Sequence, residues 1–299
     1  MNIVLIQNRS SGVGNRHGLA SDLAEQLISA GHSVRTLEAG AALARETVDA
    51  ALADASLCII AGGDGTVHYN LNALSASRVP VYHFPIGTEN LFARHFGMDR
   101  DIDRLLDAIR AAEVATVDLA ECSGRMFSLM CSVGFDAAVV ERVAANRSGG
   151  VRRADYVKQA LCELAEPRTP RLSISIDGRA IVENRKGLVV IANSRQYAAR
   201  LDPARNASMT DGLLDVVFMP HTTRVGLAKW LLAIRGGVHL RSSQIVCAQG
   251  KSIAVTIEGA SPHQLDGEAA PIGKLIDDRR TLDVCVLPSA LRVLTPRPR

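Results

Sequence analysis

The feature that most restricts the fold of this chain is the apolar run Leu57-Cys58-Ile59-Ile60-Ala61, which passes directly into Gly62-Gly63-Asp64-Gly65-Thr66. An unbroken apolar run of this length reads as a strand, and helical spacing resumes over Val67–Leu74. Three glycines in four positions permit positive φ and a close backbone approach to a ligand. The N–H groups at a helix start suit an anionic phosphate, and the Asp64 carboxylate is placed to orient a metal or a ribose. A glycine-rich strand-to-helix turn can also be merely tight; the Asp-Gly-Thr completion favours a nucleotide.

The rest of the first part repeats that rhythm. From residue 1 to about 115, strands at Ile3–Ile6, Ser33–Leu37, Leu57–Ala61 and Val81–Phe84 alternate with helices at Gly18–Ala30, Ala41–Ala53, Val67–Leu74 and Ile102–Ala112, with Gly31 as a C-cap. Beyond Val117 the pattern is strand-rich: Thr116–Ala120, Met126–Val133, Leu172–Ile176, Gly187–Ala192, Leu214–Met219, Ile245–Ala248, Ser252–Glu258 and Thr281–Leu287. Helices at Ala137–Ala145, Tyr156–Leu164 and Thr223–Ile234 interrupt it, the last carrying Trp230 as a packing residue. The fold class expected is an α/β N-terminal domain, residues 1–115, with a Rossmann-like parallel sheet, followed by a mainly antiparallel second domain, residues 116–299.

Composition excludes several classes. With 47% hydrophobic residues in 299, disorder is excluded; a net charge of +3 with dispersed Lys and Arg gives no nucleic-acid stripe. Arg292, Arg297 and Arg299 near the C-terminus read as a solvated terminus before a membrane contact. The six cysteines show no zinc spacing, and those in apolar runs, Cys58 and Cys285, read as reduced and buried. The N-terminus reads as a strand and not a signal peptide, and no apolar run reaches the ~20 residues of a transmembrane helix. A cytoplasmic protein with at most peripheral membrane contact is expected; its oligomeric state is open, a homodimer among the options.

Two more polar loops follow strands: Asn8-Arg9-Ser10-Ser11-Gly12, and Pro85-Ile86-Gly87-Thr88-Glu89-Asn90-Leu91, with Thr88 and Asn90 at its mouth. Loops at the carboxyl ends of neighbouring parallel strands line one crevice, where open α/β sheets bind ligands.

These residues resemble the superfamily of diacylglycerol, sphingosine and NAD kinases. Gly62 to Thr66 is common to all of them. Pro85-x-Gly87-Thr88-x-Asn90-x-Phe92-Ala93-Arg94, Ser132-x-Gly134-Phe135-Asp136-Ala137, Ala207 to Val216, and Leu265-Asp266-Gly267-Glu268 look like the lipid-kinase branch. The resemblance implies an NAD-kinase-like first domain and a β-sandwich-like second domain, whose last residues can pack back on the first. It also implies ATP-dependent phosphorylation of a diacylglycerol-like or sphingoid hydroxyl with Mg2+. ATP contacts carry over to Asn8, Arg9, Ser10, Ser11, Gly12, Thr36, Gly62, Gly63, Asp64, Gly65, Thr66 and Thr88, with Asn90 beside them. A magnesium site carries over to Asp211 and the backbone carbonyls of Ser208 and Leu213, and the proton acceptor to Glu268. Phosphoryl transfer needs groups that hold metal and orient the nucleophile, roles open to Asp64, Asp266 and Glu268.

The chain departs from the family pattern at His68-Tyr69, where Asn-Glu is usual, at Glu89 and Leu91, and at Ser194 to Ala199. Two alternatives stay open: a kinase for NAD or another soluble alcohol, and a catalytically silent nucleotide-binding regulator.

Overall fold

A computed structural model describes residues 1–8, 17–39, 43–146 and 153–297, and these residues form two compact units. The first is built chiefly from Met1–Val117 and the residues from Ser289 onward, the second from Asp118–Ser148 and Arg153–Pro288.

In the first unit the chain runs β1 (Asn2–Gln7), α1 (His17–Ser29), β2 (Ser33–Glu38), α2 (Arg45–Leu52), β3 (Leu57–Gly62), α3 (Asp64–Ser77), β4 (Val81–Pro85), α4 (Leu91–His95), α5 (Ile102–Ala111) and the start of β5 (Val114–Cys122). The strands pair in parallel in the order β2-β1-β3-β4. Every residue of β3 and β4 is buried, as expected of central strands covered on both faces. Helix α1 closes as its spacing predicts: Gly31 N–H bonds Ile28 O and His32 N–H bonds Leu27 O. Helix α3 begins three residues earlier than expected, at Asp64, because Gly63 serves as its N-cap and an acid in the first turn suits the helix dipole. Helix α2 starts at Arg45, later than expected, and residues 41 and 42 lie outside the described residues.

The second unit continues with β6 (Arg125–Phe127), β7 (Met130–Val133), α6 (Phe135–Ala145), α7 (Arg153–Ala165), β8 (Arg171–Ile176), β9 (Arg179–Ala192), β10 (Leu214–Pro220), α8 (Arg224–Arg235), β11 (Val246–Gly250), β12 (Ser252–Glu258), β13 (His263–Leu265), β14 (Glu268–Ala270) and β15 (Arg279–Leu294). Strand β9 is long enough to serve two antiparallel sheets. Its first half pairs with β8, which leads to β12 and β15; its second half lies between β7 and β10, with β13, β14 and β11 beyond. Period-2 alternation turns Leu172, Ile174, Ile253, Val255, Ile257, Leu282 and Val284 inward against Val189, Ile191, Val216 and Phe218, giving one core between the sheets. The end of β15 returns to the first unit, where Val293 sits parallel to Val81 of β4.

Three expectations needed correction here. Met126–Val133 is two strands and not one, since the intervening Ser128 and Leu129 turn their N–H groups to a side chain. Strands β9 and β15 extend well past their apolar cores. Cys285 lies on the outer, half-exposed face of β15, while Cys58 is fully buried; all six cysteines are free. Trp230 packs as expected, donating its Nε1–H to Pro220 O at 2.7 Å. Among the described residues no helix is long and apolar enough to cross a membrane.

The acid best enclosed in the second unit is Glu163, the one buried residue of α7. It accepts from Arg142 Nε at 2.7 Å and from the Arg168 N–H at 2.9 Å. Burial alone would raise its pKa, but the hydrogen bonds from Arg168 and Arg142 outweigh that and lower it. Glu163→Ala is therefore expected to cost about 1–3 kcal/mol in a denaturant titration, because it removes the acceptor of Arg142 Nε and of the Arg168 N–H, while both guanidinium groups keep contact with solvent and Arg168 keeps Glu141. Because the folded pKa is the lower one, this stabilisation is complete above the unfolded glutamate value of about 4.3 and is lost as pH falls below it.

Candidate functional site

In the first unit, the strand order places β1 and β3 side by side with their connections on opposite faces, which is the topological switch point of such a sheet. The loops after these two strands carry the candidate residues. Asn8, at the end of β1, bonds Ala61 O through its backbone at 3.0 Å and Thr66 Oγ1 through its Nδ2 at 3.3 Å. Arg9, Ser10, Ser11 and Gly12 lie outside the described residues. Thr36 is not brought into this cluster: it is exposed on the edge strand β2, opposite Leu5 and two rungs short of the strand end.

The two glycine loops are built against each other. The Gly62 carbonyl accepts the N–H groups of Ile86 at 2.9 Å and Gly87 at 3.2 Å, and His83 Nε2 lies 3.0 Å away. Since that carbonyl can only accept, His83 carries its proton on Nε2; burial lowers its pKa, with the nearby Asp64 charge acting in the opposite direction. A Cβ on Gly87 would stand 2.5 Å from Gly63 Cα and 2.8 Å from Asn90 Oδ1. Neither neighbour can withdraw, because one is backbone and the Asn90 side chain is itself fastened to the Gly87 N–H and carbonyl at 2.9 and 3.0 Å. Gly87→Ala is thus expected to push the loops apart at a cost of about 1–3 kcal/mol in stability, read as a lowered thermal midpoint.

Asp64 links the two loops. Its two carboxylate oxygens accept the N–H groups of Leu91 at 2.9 Å and Phe92 at 3.0 Å, so it caps α4 and ties one glycine loop to the other. Leu91, which stands where an acid is usual, is buried at the start of α4. His68 lies on the buried side of α3 and Tyr69 on the exposed side.

In the second unit, Asp266 and Gly267 both have positive φ, 53° and 86°, and join β13 to β14 with Leu265 opposite Glu268. This is the two-residue Asp-Gly hairpin turn. Asp266 is buried, and its carboxylate is fully engaged: it accepts from the N–H of Ser128 at 2.8 Å, Leu129 at 2.7 Å and Met130 at 3.1 Å, and from Ser128 Oγ at 3.1 Å. Asp266 thus clamps the 128–130 turn to the hairpin. Glu268, half-buried, is the first residue after the turn and is held in place by it.

A polar chain that the sequence reading left without a role backs this hairpin. Gly267 N–H donates to Gln264 Oε1 at 2.6 Å, Gln264 Nε2 donates to Ser132 Oγ at 2.7 Å, and Ser132 Oγ–H donates to Asp136 at 2.5 Å. The Tyr197 hydroxyl also donates to Asp136. Burial, then the Asp136 charge and its hydrogen bond, raise the Tyr197 pKa well above normal and keep it a donor. Ser132 and Asp136 stood in a recognised motif, but only the long-range pairing of β7 with β13 reveals their use.

The metal candidates sit together in the turn before β10. Asp211 is exposed, with one oxygen accepting the Leu213 N–H at 3.0 Å, while Ser208 Oγ accepts the Thr210 N–H at 3.3 Å. One carboxylate with two carbonyls is an oxygen donor set that fits a hard cation. Nearby, burial pushes the Asp215 carboxyl up, opposed by a hydrogen bond from Gln249 and reinforced by the Asp211 charge. A cation beside these two acids would relieve that repulsion.

Comparison with known proteins agrees with this architecture. Residues 2–122 match the diacylglycerol kinase catalytic domain, and residues 130–295 match the YegS C-terminal NAD kinase beta sandwich-like domain. A diacylglycerol kinase of Mycobacterium tuberculosis is 26% identical over 85% of this chain and 82% of its own length. One of Bacillus subtilis is 26% identical over 74% of this chain and 73% of its own. The crystal structure of a diacylglycerol kinase from Bacillus anthracis str. Sterne shares the fold with a TM-score of 0.69 at 18% identity, covering 99% of this chain and 97% of that one. With both of its parts accounted for, and more than half of it by the second model alone, this chain belongs to the family of diacylglycerol kinase and YegS-like lipid kinases.

Proposed function

We propose that this protein is an ATP-dependent lipid kinase that transfers the γ-phosphoryl group to a hydroxyl of a diacylglycerol-like or sphingoid acceptor. One observation carries the assignment of the base: the Asp-Gly hairpin turn, anchored by the buried Asp266, holds Glu268 half-buried as the next residue of the motif. Asn8, the Gly62–Thr66 loop and the Thr88–Asn90 turn bind the nucleotide phosphates through helix-start N–H groups and close backbone approach. Glu268 takes the acceptor's hydroxyl proton as its oxygen bonds to the γ-phosphorus, and the bond from that phosphorus to the bridging oxygen breaks to release ADP. Mg2+, when bound by Asp211 with the Ser208 and Leu213 carbonyls, supplies positive charge that neutralises acidic groups.

The test is transfer of radiolabel from γ-labelled ATP with Mg2+ to a total lipid extract and, separately, to NAD. Label in the chloroform-soluble fraction is expected. Label on NAD alone would move the protein to the soluble-alcohol branch, and nucleotide-dependent thermal stabilisation without transfer would make it a silent binder.

A further inference from the structure

The Asp266-Gly267 turn is anchored in two ways that differ in kind. The Asp266 carboxylate holds it to the 128–130 turn. The other anchor is a single bond from the Gly267 N–H to Gln264 Oε1 at 2.6 Å, one residue before Glu268. A turn's own hydrogen bond joins its first and last residues and leaves this N–H out. Strand β14 is three residues long and ends the sheet beside β13, so little ladder fixes Glu268.

The direction of each bond behind Gly267 follows from what each group can do. The Gly267 N–H only donates, so Gln264 turns its carbonyl towards it and its amide nitrogen towards Ser132 Oγ at 2.7 Å, with Asp136 Oδ2 at 3.4 Å. Ser132 Oγ accepts from Gln264 and sends its own proton to Asp136 Oδ2 at 2.5 Å, and the Tyr197 hydroxyl donates to the same oxygen. A carboxylate at the far end thus dictates which way the Gln264 amide faces, since a flipped amide would set N–H against N–H at Gly267. Asp136 stands in the first turn of α6, a helix that contacts both strands of the hairpin. Its other oxygen, Oδ1, is buried without a hydrogen-bond partner among the described residues, which costs stability. Stability alone does not account for a chain that leaves a carboxylate oxygen unsatisfied while it orients one peptide.

We infer that Gln264, oriented by Ser132, Asp136 and Tyr197, is a positioning residue that fixes the peptide group beside Glu268 and so aims the Glu268 carboxylate at the acceptor hydroxyl. The part given to Glu268 rests on the lipid-kinase reading, whereas the relay rests on the bonds themselves. Tyr197 lies within Ser194 to Ala199, where this chain leaves the family pattern, so the far end of the relay belongs to this chain in particular.

The test pairs single-turnover transfer from γ-labelled ATP to diacylglycerol with hydrogen exchange at the Gly267 amide. Both are measured on the full chain for Gln264→Met and Tyr197→Phe, each also combined with Glu268→Gln. Gln264→Met is expected to lower the transfer rate at least about tenfold and Tyr197→Phe at least about threefold at unchanged ATP affinity, since a misplacement of about 1 Å can cost about 10²-fold. In the Glu268→Gln background the same substitutions are expected to change the rate less than about twofold, because the group they position is gone. Equal factors in the two backgrounds would mark residues that merely hold the fold and would overturn the inference. Tyr197→Phe removes one hydroxyl and keeps the ring, so it carries the comparison where Gln264→Met fails to fold. Gly267 exchange is expected to be slow in wild type and faster in both variants; unchanged exchange would overturn the relay whether or not the protein turns over. Labelling by wild type that the variants leave untouched would overturn the positioning role alone. No labelling by wild type, with Gly267 exchange responding to the variants, would remove the base and with it the lipid-kinase reading.

Discussion

Asp266→Ala is expected to destabilise the second unit by about 3–5 kcal/mol, a large share of the 5–15 kcal/mol by which domains are usually stable. The side chain closes four hydrogen bonds on the 128–130 turn, three of them from backbone N–H groups. Truncation would leave those donors buried without an acceptor, and an alanine would also have to hold the φ of 53° that the turn requires. Asp266→Asn keeps a residue type that tolerates that φ and one acceptor oxygen, and is expected to cost about 1–2 kcal/mol. Chemical unfolding followed by circular dichroism separates the two. Equal and negligible losses would mean that the carboxylate is not the clamp its geometry describes.

Glu268→Gln is expected to lower kcat by about 10²- to 10⁴-fold, the usual contribution of a positioned general base, with little change in stability or in ATP affinity. Gln is nearly isosteric and Glu268 is only half-buried on a three-residue strand, so the fold has little reason to respond. On the proposed mechanism Glu268 acts on the acceptor hydroxyl and not on the nucleotide, so the loss is expected in kcat and not in the ATP dissociation constant. An equal fall in ATP affinity would recast Glu268 as a nucleotide ligand.

Much of the fold was legible from local pattern. The unbroken apolar run at β3 announced a covered parallel strand, and alternation on β8 and β12 announced an antiparallel sheet with one inward face. Strands β13 and β14 escaped notice because three residues each carry too little periodicity, although the Asp266-Gly267 pair between them is itself a hairpin signal. The site was legible as a set of motifs but not as a division of labour. Asp64 and Asp266 were legible as acids beside glycines, which are common at phosphate sites, but not as the clamps they also form. Their partners, Leu91 and Phe92 for one and Ser128 to Met130 for the other, lie 27 to 28 and 136 to 138 residues away, beyond any local pattern. The Tyr197-Asp136-Ser132-Gln264 chain was hidden for the same reason, since its four members come together only when β7 meets β13.

The central claim, that Glu268 is the base of phosphoryl transfer to a lipid alcohol, is tested most directly by single-turnover transfer. Saturating γ-labelled ATP and Mg2+ are mixed with excess enzyme and diacylglycerol in micelles, and label in the chloroform phase is followed over time for wild type and Glu268→Gln. The account predicts rapid labelling by wild type and a rate at least about 10²-fold lower in the variant at equal ATP occupancy. A variant that labels lipid within a few-fold of the wild-type rate would contradict it.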